Sequence, residues 1–144
     1  MDCAAAKTMS EVKIDEASKT AFLAQMKEYC AKRQLTAGTD GASQQVSVEL
    51  AAFFTPETGY LVDMDAKTHT GALALSAYFR QPSPVPSKVL DPKLLEDGRG
   101  LIDIEVPTLG GWKTVTVHVH VAFNANKKTF DSIVLSRDKV FGMF

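Results

Sequence analysis

The chain has 144 residues, 45% of them hydrophobic and 23% charged, which suits a single globular domain with its own core. Its formal net charge is −1 and both signs are mixed along the chain, so the basic stripe of a nucleic-acid-binding surface is absent. The apolar run from Ala72 to Ala77 is far too short to cross a bilayer, so no membrane partner is expected.

The N-terminal segment, residues 1–14, lacks the sustained apolar stretch of a secretory signal, and we expect it to be a flexible tail. Residues 15–144 are expected to form one domain. Without a targeting segment, Cys3 and Cys30 are expected to be reduced thiols in a cytoplasmic protein, with Cys30 packed within a helix.

The first predicted element is a helix from Asp15 to Gln34, because no Gly or Pro interrupts this stretch and Asp15 can cap its first turn. Phe22, Met26 and Tyr29 recur at helical spacing along one stripe, which favours burial of that face.

Two further helices and a short strand follow. Ser43 to Phe54 fits both strand and helix periods, and its alanine pair and the stop at Pro56 favour a short helix. Gly59 to Asp65 predicts a short strand. Thr70 to Arg80 predicts a helix that Thr70 caps and Pro82 ends.

The rest of the chain has the pattern of β-structure. A weak strand is predicted over Val85 to Leu95, then strands over Leu101 to Val106, Trp112 to Phe123 and Thr129 to Ser136. Asn124 to Lys128 predicts a hairpin loop whose asparagines tolerate positive φ. Because the last connections are short, neighbouring strands should be antiparallel. The predicted class is α+β, with three N-terminal helices packed on one face of a strongly curved antiparallel sheet.

The alternation from Val115 to Phe123 is the clearest pattern in the chain, since a period of two means that one strand face is buried. The predicted inner face carries Val117, Val119, Val121 and Phe123, and the outer face carries Thr116, His118 and His120.

Three stretches share a pattern with one known superfamily. Leu50 to Glu57 is similar to its passage from the second helix into the first strand. Thr70 to Arg80 resembles its third helix, while Trp112 to Asn124 and Phe130 to Leu135 resemble its last hairpin. On these stretches the chain resembles the NTF2-like superfamily, in its SnoaL and ketosteroid-isomerase branch.

The resemblance implies a cone: a bent sheet wrapped around helices, with a deep, mostly apolar pocket at its open end. It implies binding of a small hydrophobic molecule and homodimer formation through the outer sheet face that carries Thr116, His118 and His120. The residues expected to line or support the pocket are Phe54, Tyr60, Phe79, Val117, Val119, Val121 and Phe123.

The resemblance also implies candidate catalytic residues. Asp63, with Asp65 as fallback, matches the position of the isomerases' general base, and Tyr29 matches a tyrosine that stabilises an oxyanion. Against these roles, Asp63 can equally be an exposed residue at a strand end, and Tyr29 can complete the helix stripe. Val119 occupies the position of the isomerases' second donor and cannot donate a hydrogen bond, which argues against steroid isomerisation.

The histidines support a weaker hypothesis. His118 and His120 share a strand face about 7 Å apart, so two imidazoles could bind one metal with His69 or a carboxylate as a third ligand. Because nothing in the sequence places His69 near them, we predict no metal and no cofactor.

Three hypotheses therefore remain open: a homodimeric binder of small hydrophobic ligands, a SnoaL-like or isomerase-like enzyme using Asp63 and Tyr29, and a protein-interaction module that uses the outer sheet face. A cavity with apolar walls favours the first, a carboxylate and Tyr29 around a shared cavity the second, and a filled cone the third.

Overall fold

The computed structural model of the chain describes residues 15–36, 43–81, 87–108 and 113–137. The predicted N-terminal tail with Cys3, most of the loop before the second predicted helix, and Trp112 lie outside these ranges. The described residues form three helices and one mixed sheet, as the predicted α+β class requires.

The helices are α1 (Glu16–Thr36), α2 (Gln44–Ala51) and α3 (Ala72–Phe79). The predicted cap of α1 is confirmed, because the backbone N–H of Ser18 donates to Asp15 Oδ1 at 2.7 Å. Each of the three predicted helices exists, with ends shifted by a few residues.

The start of α3 differs from the prediction. Thr70 does not cap the helix, because it belongs to a strand and pairs with Tyr60. The residue before the helix is Gly71, whose φ of 86° and ψ of 162° lie in a region that only glycine adopts readily. The backbone N–H of Gly71 donates to the carbonyl of Gly59 at 3.2 Å, which ties the start of α3 to the start of the sheet.

The strands are β1 (Tyr60–Val62), β2 (Thr68–Thr70), β3 (Lys88–Val89), β4 (Lys93–Leu94), β5 (Gly100–Thr108), β6 (Lys113–Asn124) and β7 (Thr129–Arg137). β2 was not predicted. The weak strand expected over Val85–Leu95 consists of the two short strands β3 and β4, which flank Pro92.

The sheet order is β2-β1-β7-β6-β5-β3, with β4 also paired to β5. β1 and β7 are parallel and all other pairs are antiparallel, so the prediction of a wholly antiparallel sheet is wrong. The short turns predicted the β6–β7 hairpin correctly but carry no information on β1, which reaches β7 across most of the sequence. The position of α3 after β1 agrees with the predicted order, and the additional strand β2 lies between them.

The hairpin between β6 and β7 lies where it was predicted, but the residue with positive φ is not the predicted one. Its positive φ of 56° is at Lys128 and not at an asparagine. Asn124 contributes its side chain instead, accepting a hydrogen bond from the Lys127 N–H at 2.9 Å.

The core is dominated by aromatic rings between the helices and the inner sheet face. Phe130 of β7 lies at the centre, with ring centroids 5.6 to 6.3 Å from four neighbours: Phe22, Tyr29, Phe53 and Phe54. Phe79 of α3 joins this cluster through Tyr29 and Phe54. Cys30 is a free, buried thiol in α1, as predicted, and burial raises its pKa to about 11.

Candidate functional site

A groove of about 540 Å³ lies between α2 and α3. Its lining is mostly apolar and includes two large side chains that are exposed to water: Val48 is 52% exposed and Leu73 is 90% exposed. The lining residues are Gln44, Val48, Ala51, Ala52, Phe54, Thr55, Pro56, Ala72, Leu73, Leu75, Ser76 and Arg80. No motif marked this groove, because it depends on how two short helices meet.

Hydrogen bonds beneath the groove hold the two helices in place. The hydroxyls of Ser47 and Ser76 lie 3.1 Å apart, and Ser47 also donates to the Gln44 carbonyl at 2.8 Å. Where the chain leaves α2, the Thr55 hydroxyl donates to Asp131 Oδ1 at 2.8 Å and lies 2.7 Å from the Thr129 hydroxyl. Ser47 and Thr55 are buried, and their hydrogen bonds tie α2 to α3 and the end of α2 to β7.

The residues predicted to line or support a pocket lie mostly elsewhere. Phe54 lines the groove. Phe79, Val119 and Val121 are buried in the core, and Phe123 stacks on Phe22 at 4.5 Å. Val117 is half-buried in β6, opposite Ile104.

The prediction that Tyr60 lines the pocket is wrong. Leu61 is buried on the inner face, so Tyr60 must point to the opposite, outer face, where it is 38% exposed and pairs with Ser132. It therefore cannot line a pocket inside the cone.

Tyr29 sits deep in the aromatic cluster, against Phe53, Phe79 and Phe130. Burial, opposed in part by the charge of nearby Arg33, holds the pKa of its phenol well above the usual value. A tyrosine in this state can donate a hydrogen bond but is not a base at neutral pH.

Asp63 follows β1 and is held in a tight turn. Its Oδ1 accepts from the backbone N–H of Asp65 at 2.8 Å and of Lys67 at 3.0 Å, and its Oδ2 lies 2.8 Å from His69 Nε2. These bonds, led by the one from His69, hold the pKa of the Asp63 carboxyl below its usual value. Asp65, the fallback base, is exposed.

His69 and Tyr78 extend this cluster, and neither was singled out from the sequence as part of it. The His69 ring lies on the Tyr78 ring with centroids 4.8 Å apart. Burial raises the pKa of the Tyr78 phenol, an effect that Arg33 opposes and Asp63 reinforces. Tyr78 thus contacts His69 directly and is near enough to both Arg33 and Asp63 to sense their charges. The signal for His69 was a histidine six residues after an aspartate, which becomes readable only once β1 and β2 are known to form a hairpin.

The histidines of β6 lie on the outer sheet face. His118 Nδ1 is 2.7 Å from Asp103 Oδ1 across the β5–β6 pair. The Nδ1 atom of His120 is buried without a hydrogen-bond partner in the described part of the chain. Partial burial, with the nearby charges of Arg99 and His118, lowers the pKa of His120.

The three histidines do not share a site. His69 of β2 pairs with buried Leu61 of β1, whereas His118 and His120 lie on the outer face of β6. Within residues 15–36, 43–81, 87–108 and 113–137, no group of three metal-binding side chains comes together.

Solved structures with the same architecture identify the fold. A cystatin-like protein from Methylobium petroleophilum PM1 is 13% identical, with a TM-score of 0.58 over 87% of this chain and 82% of that one. An NTF2-like protein from Pseudomonas aeruginosa is 13% identical, with a TM-score of 0.55 over 83% and 99%. SalBIII, an epoxide hydrolase/cyclase-like enzyme in pyran ring formation in polyether salinomycin, is 15% identical, with a TM-score of 0.55 over 86% and 93%.

The chain therefore has an NTF2-like, cystatin-like fold, as the resemblance implied. At these identities the likeness concerns the fold alone. No protein-family model and no curated protein matches the sequence. None of the helices in the described residues is long and apolar enough to span a membrane. Location in the cytoplasm stays a prediction.

Proposed function

We propose that the protein binds a small hydrophobic molecule in the groove between α2 and α3. The observation that carries this proposal is the groove itself, whose volume of about 540 Å³ falls within the range of small-molecule sites, about 300–1,000 Å³. Val48 of α2 and Leu73 of α3 line the groove and leave apolar surface in contact with water, which a hydrophobic ligand would cover.

The groove is favoured over the interior of the cone because aromatic rings occupy the interior. Phe22, Phe79 and Phe130 are fully buried there, in contact with Tyr29 and Phe123. A ligand among these rings would have to displace them, whereas the groove is open to water.

Binding can be measured with Nile red, an uncharged dye whose fluorescence rises in apolar surroundings. We expect saturable binding to the parent protein and its loss in Leu73→Arg, because arginine would place a charge on the groove wall. Leu35→Arg is the matched control, since Leu35 is 70% exposed on α1 and does not line the groove. Equal loss in both variants, or no saturable binding to the parent, would refute the proposal.

We further propose that the protein is a homodimer through the outer sheet face that carries Thr116, His118 and His120. Val134 and Tyr60, both 38% exposed, extend this face with apolar surface. Sedimentation analysis should show that Val134→Lys shifts the protein towards monomer, while Val48→Lys, on the opposite side, does not. A parent protein that is monomeric at high micromolar concentration would exclude the dimer.

A second function, proton transfer, is favoured by one observation: the 2.8 Å contact between Asp63 and His69. The sequence-based form makes Asp63 the base and Tyr29 the polarising donor. Because its pKa is lowered, Asp63 is a weak base, and it is better suited to orient His69. The other ring nitrogen of His69 has no partner among the described residues and could take the proton.

This second function can be tested with 5-nitrobenzisoxazole, whose ring opens when a base removes one proton. We expect His69→Gln to abolish protein-dependent ring opening and Asp63→Asn to reduce it, with Arg99→Gln as the control, because Arg99 is exposed before β5 and is paired with Asp97. Turnover no faster than with free imidazole, or unaffected by His69→Gln, would reject proton transfer at this site.

A further inference from the structure

Charge is distributed unevenly in the α2–α3 groove. Among the described residues that line it, Arg80, at the end of α3, is the charged one. No aspartate or glutamate of residues 43–81 lines the groove, and no carboxylate of the described residues lies within ion-pair distance of Arg80. The electrostatic environment of the groove therefore favours a ligand with a negative group.

The orientation of the two helices places Arg80 at one end of the groove. Where the chain leaves α2, the Gly59 N–H donates to the Thr55 carbonyl at 2.8 Å. The Gly59 carbonyl in turn accepts a hydrogen bond from the Gly71 N–H at the start of α3. The end of α2 thus meets the start of α3, and the helices run antiparallel. Gln44, the first residue of α2, accordingly lies at the same end as Arg80.

The polar side chains of the groove differ in whether they are already bonded. The hydroxyls of Ser76 and Thr55 are committed to Ser47, Thr129 and Asp131. The side chains of Gln44 and Arg80 make no hydrogen bond to any other described residue. The donors that have no partner among the described residues are thus concentrated at one end, and the described walls beyond them are mostly apolar.

We infer that the groove binds an amphipathic carboxylate, with the carboxyl group at Arg80 and Gln44 and the hydrocarbon tail along Val48 and Leu73. A guanidinium presents paired N–H donors that match the two oxygens of a carboxylate, and the Gln44 amide adds another donor. The eight residues of α2 span about 12 Å, which accommodates a medium-length chain. This inference rests on the proposed ligand-binding function.

A purely structural role for Arg80 makes a different prediction. A cation at a helix C-terminus is favourable whatever lies beside it, because it interacts with the helix dipole. In that case Arg80→Gln would change the stability of α3 without changing which ligand the groove prefers.

The experiment compares decanoate with the uncharged 1-decanol as competitors of Nile red at pH 7.5. We expect decanoate to bind about tenfold more tightly than decanol, and Arg80→Gln to remove that difference. Arg99→Gln is the matched control, because Arg99 is exposed, is paired with Asp97 and lies outside the groove. Gln44→Ala should weaken decanoate binding by a smaller factor.

Each outcome has one meaning. Equal affinity for the acid and the alcohol, or a preference that survives Arg80→Gln, overturns the inference while the proposed hydrophobic site stands. Binding of decyltrimethylammonium as tightly as decanoate overturns it as well. If Nile red itself does not bind, the proposed function and the inference fail together.

Discussion

Phe130→Ala tests whether the interior of the cone is a packed core or a latent pocket. The Phe130 ring is fully buried and packs against four other rings, so its removal leaves a void at the centre of the aromatic cluster. Truncation of a buried phenylalanine costs about 3–5 kcal/mol in the free energy of unfolding. Each aromatic pair that Phe130 forms is worth about 0.5–1.5 kcal/mol, which places the expected cost in the upper part of that range.

The assay is thermal and urea denaturation followed by circular dichroism. For a domain of 144 residues, 1 kcal/mol corresponds to about 3–4 °C, so we expect the Tm of Phe130→Ala to fall by about 12–20 °C. Val134→Ala, on the same strand but exposed, should cost under about 1 kcal/mol. If the variant stays folded, benzene should bind in the new apolar cavity and restore part of the missing stability. A cost below about 1 kcal/mol for Phe130→Ala would refute the packed interior.

Three further predictions concern the elements around the site. Gly59→Ala should destabilise the protein by about 1–3 kcal/mol in urea denaturation, because the added Cβ would lie 2.7 Å from the backbone oxygen of Thr55. Burial lowers the pKa of His120, so its neutral form stabilises the fold above pH 6.5, and this contribution should be lost as pH falls through the folded-state pKa. His120→Gln should lack that part of the pH dependence of the unfolding free energy. Because its pKa is lowered, the Asp63 carboxylate contributes stability that is present above pH 3.8 and is lost in stronger acid. Asp63→Asn keeps the acceptor oxygen of the turn but does not titrate, so it should lose less stability than the parent protein on acidification.

The fold was predictable where a single segment carries its own periodic signal. The alternation in β6 correctly assigned Val119 and Val121 to the inner face and His118 to the outer face, and the cap at Asp15 marked the start of α1. The short strands were harder. Three residues of β1 alternate too briefly to say which face is buried, and the larger aromatic Tyr60 was assigned inward although Leu61 holds that place.

The candidate site depends on contacts between distant segments, so little of it could be predicted. The parallel pairing of β1 with β7 and the antiparallel packing of α2 against α3 are tertiary features with no local motif. Asp63 and Tyr29 were found through family resemblance, whereas His69 and Arg80 are isolated residues whose partners lie across a hairpin or another helix.

The packed core and the groove suggest separate roles within one NTF2-like scaffold. Phe22, Phe79 and Phe130 are buried together between the helices and the inner sheet face, and Val119 adds a further apolar contact there. This packing stabilises the fold. Several large apolar side chains are exposed to water outside this core, and two of them, Val48 and Leu73, line the α2–α3 groove. Ligand binding in such a molecule depends on the spacing of α2 and α3. Ser47 is buried and bonded to Ser76 but is not among the lining residues, so Ser47→Ala should change affinity without touching the ligand.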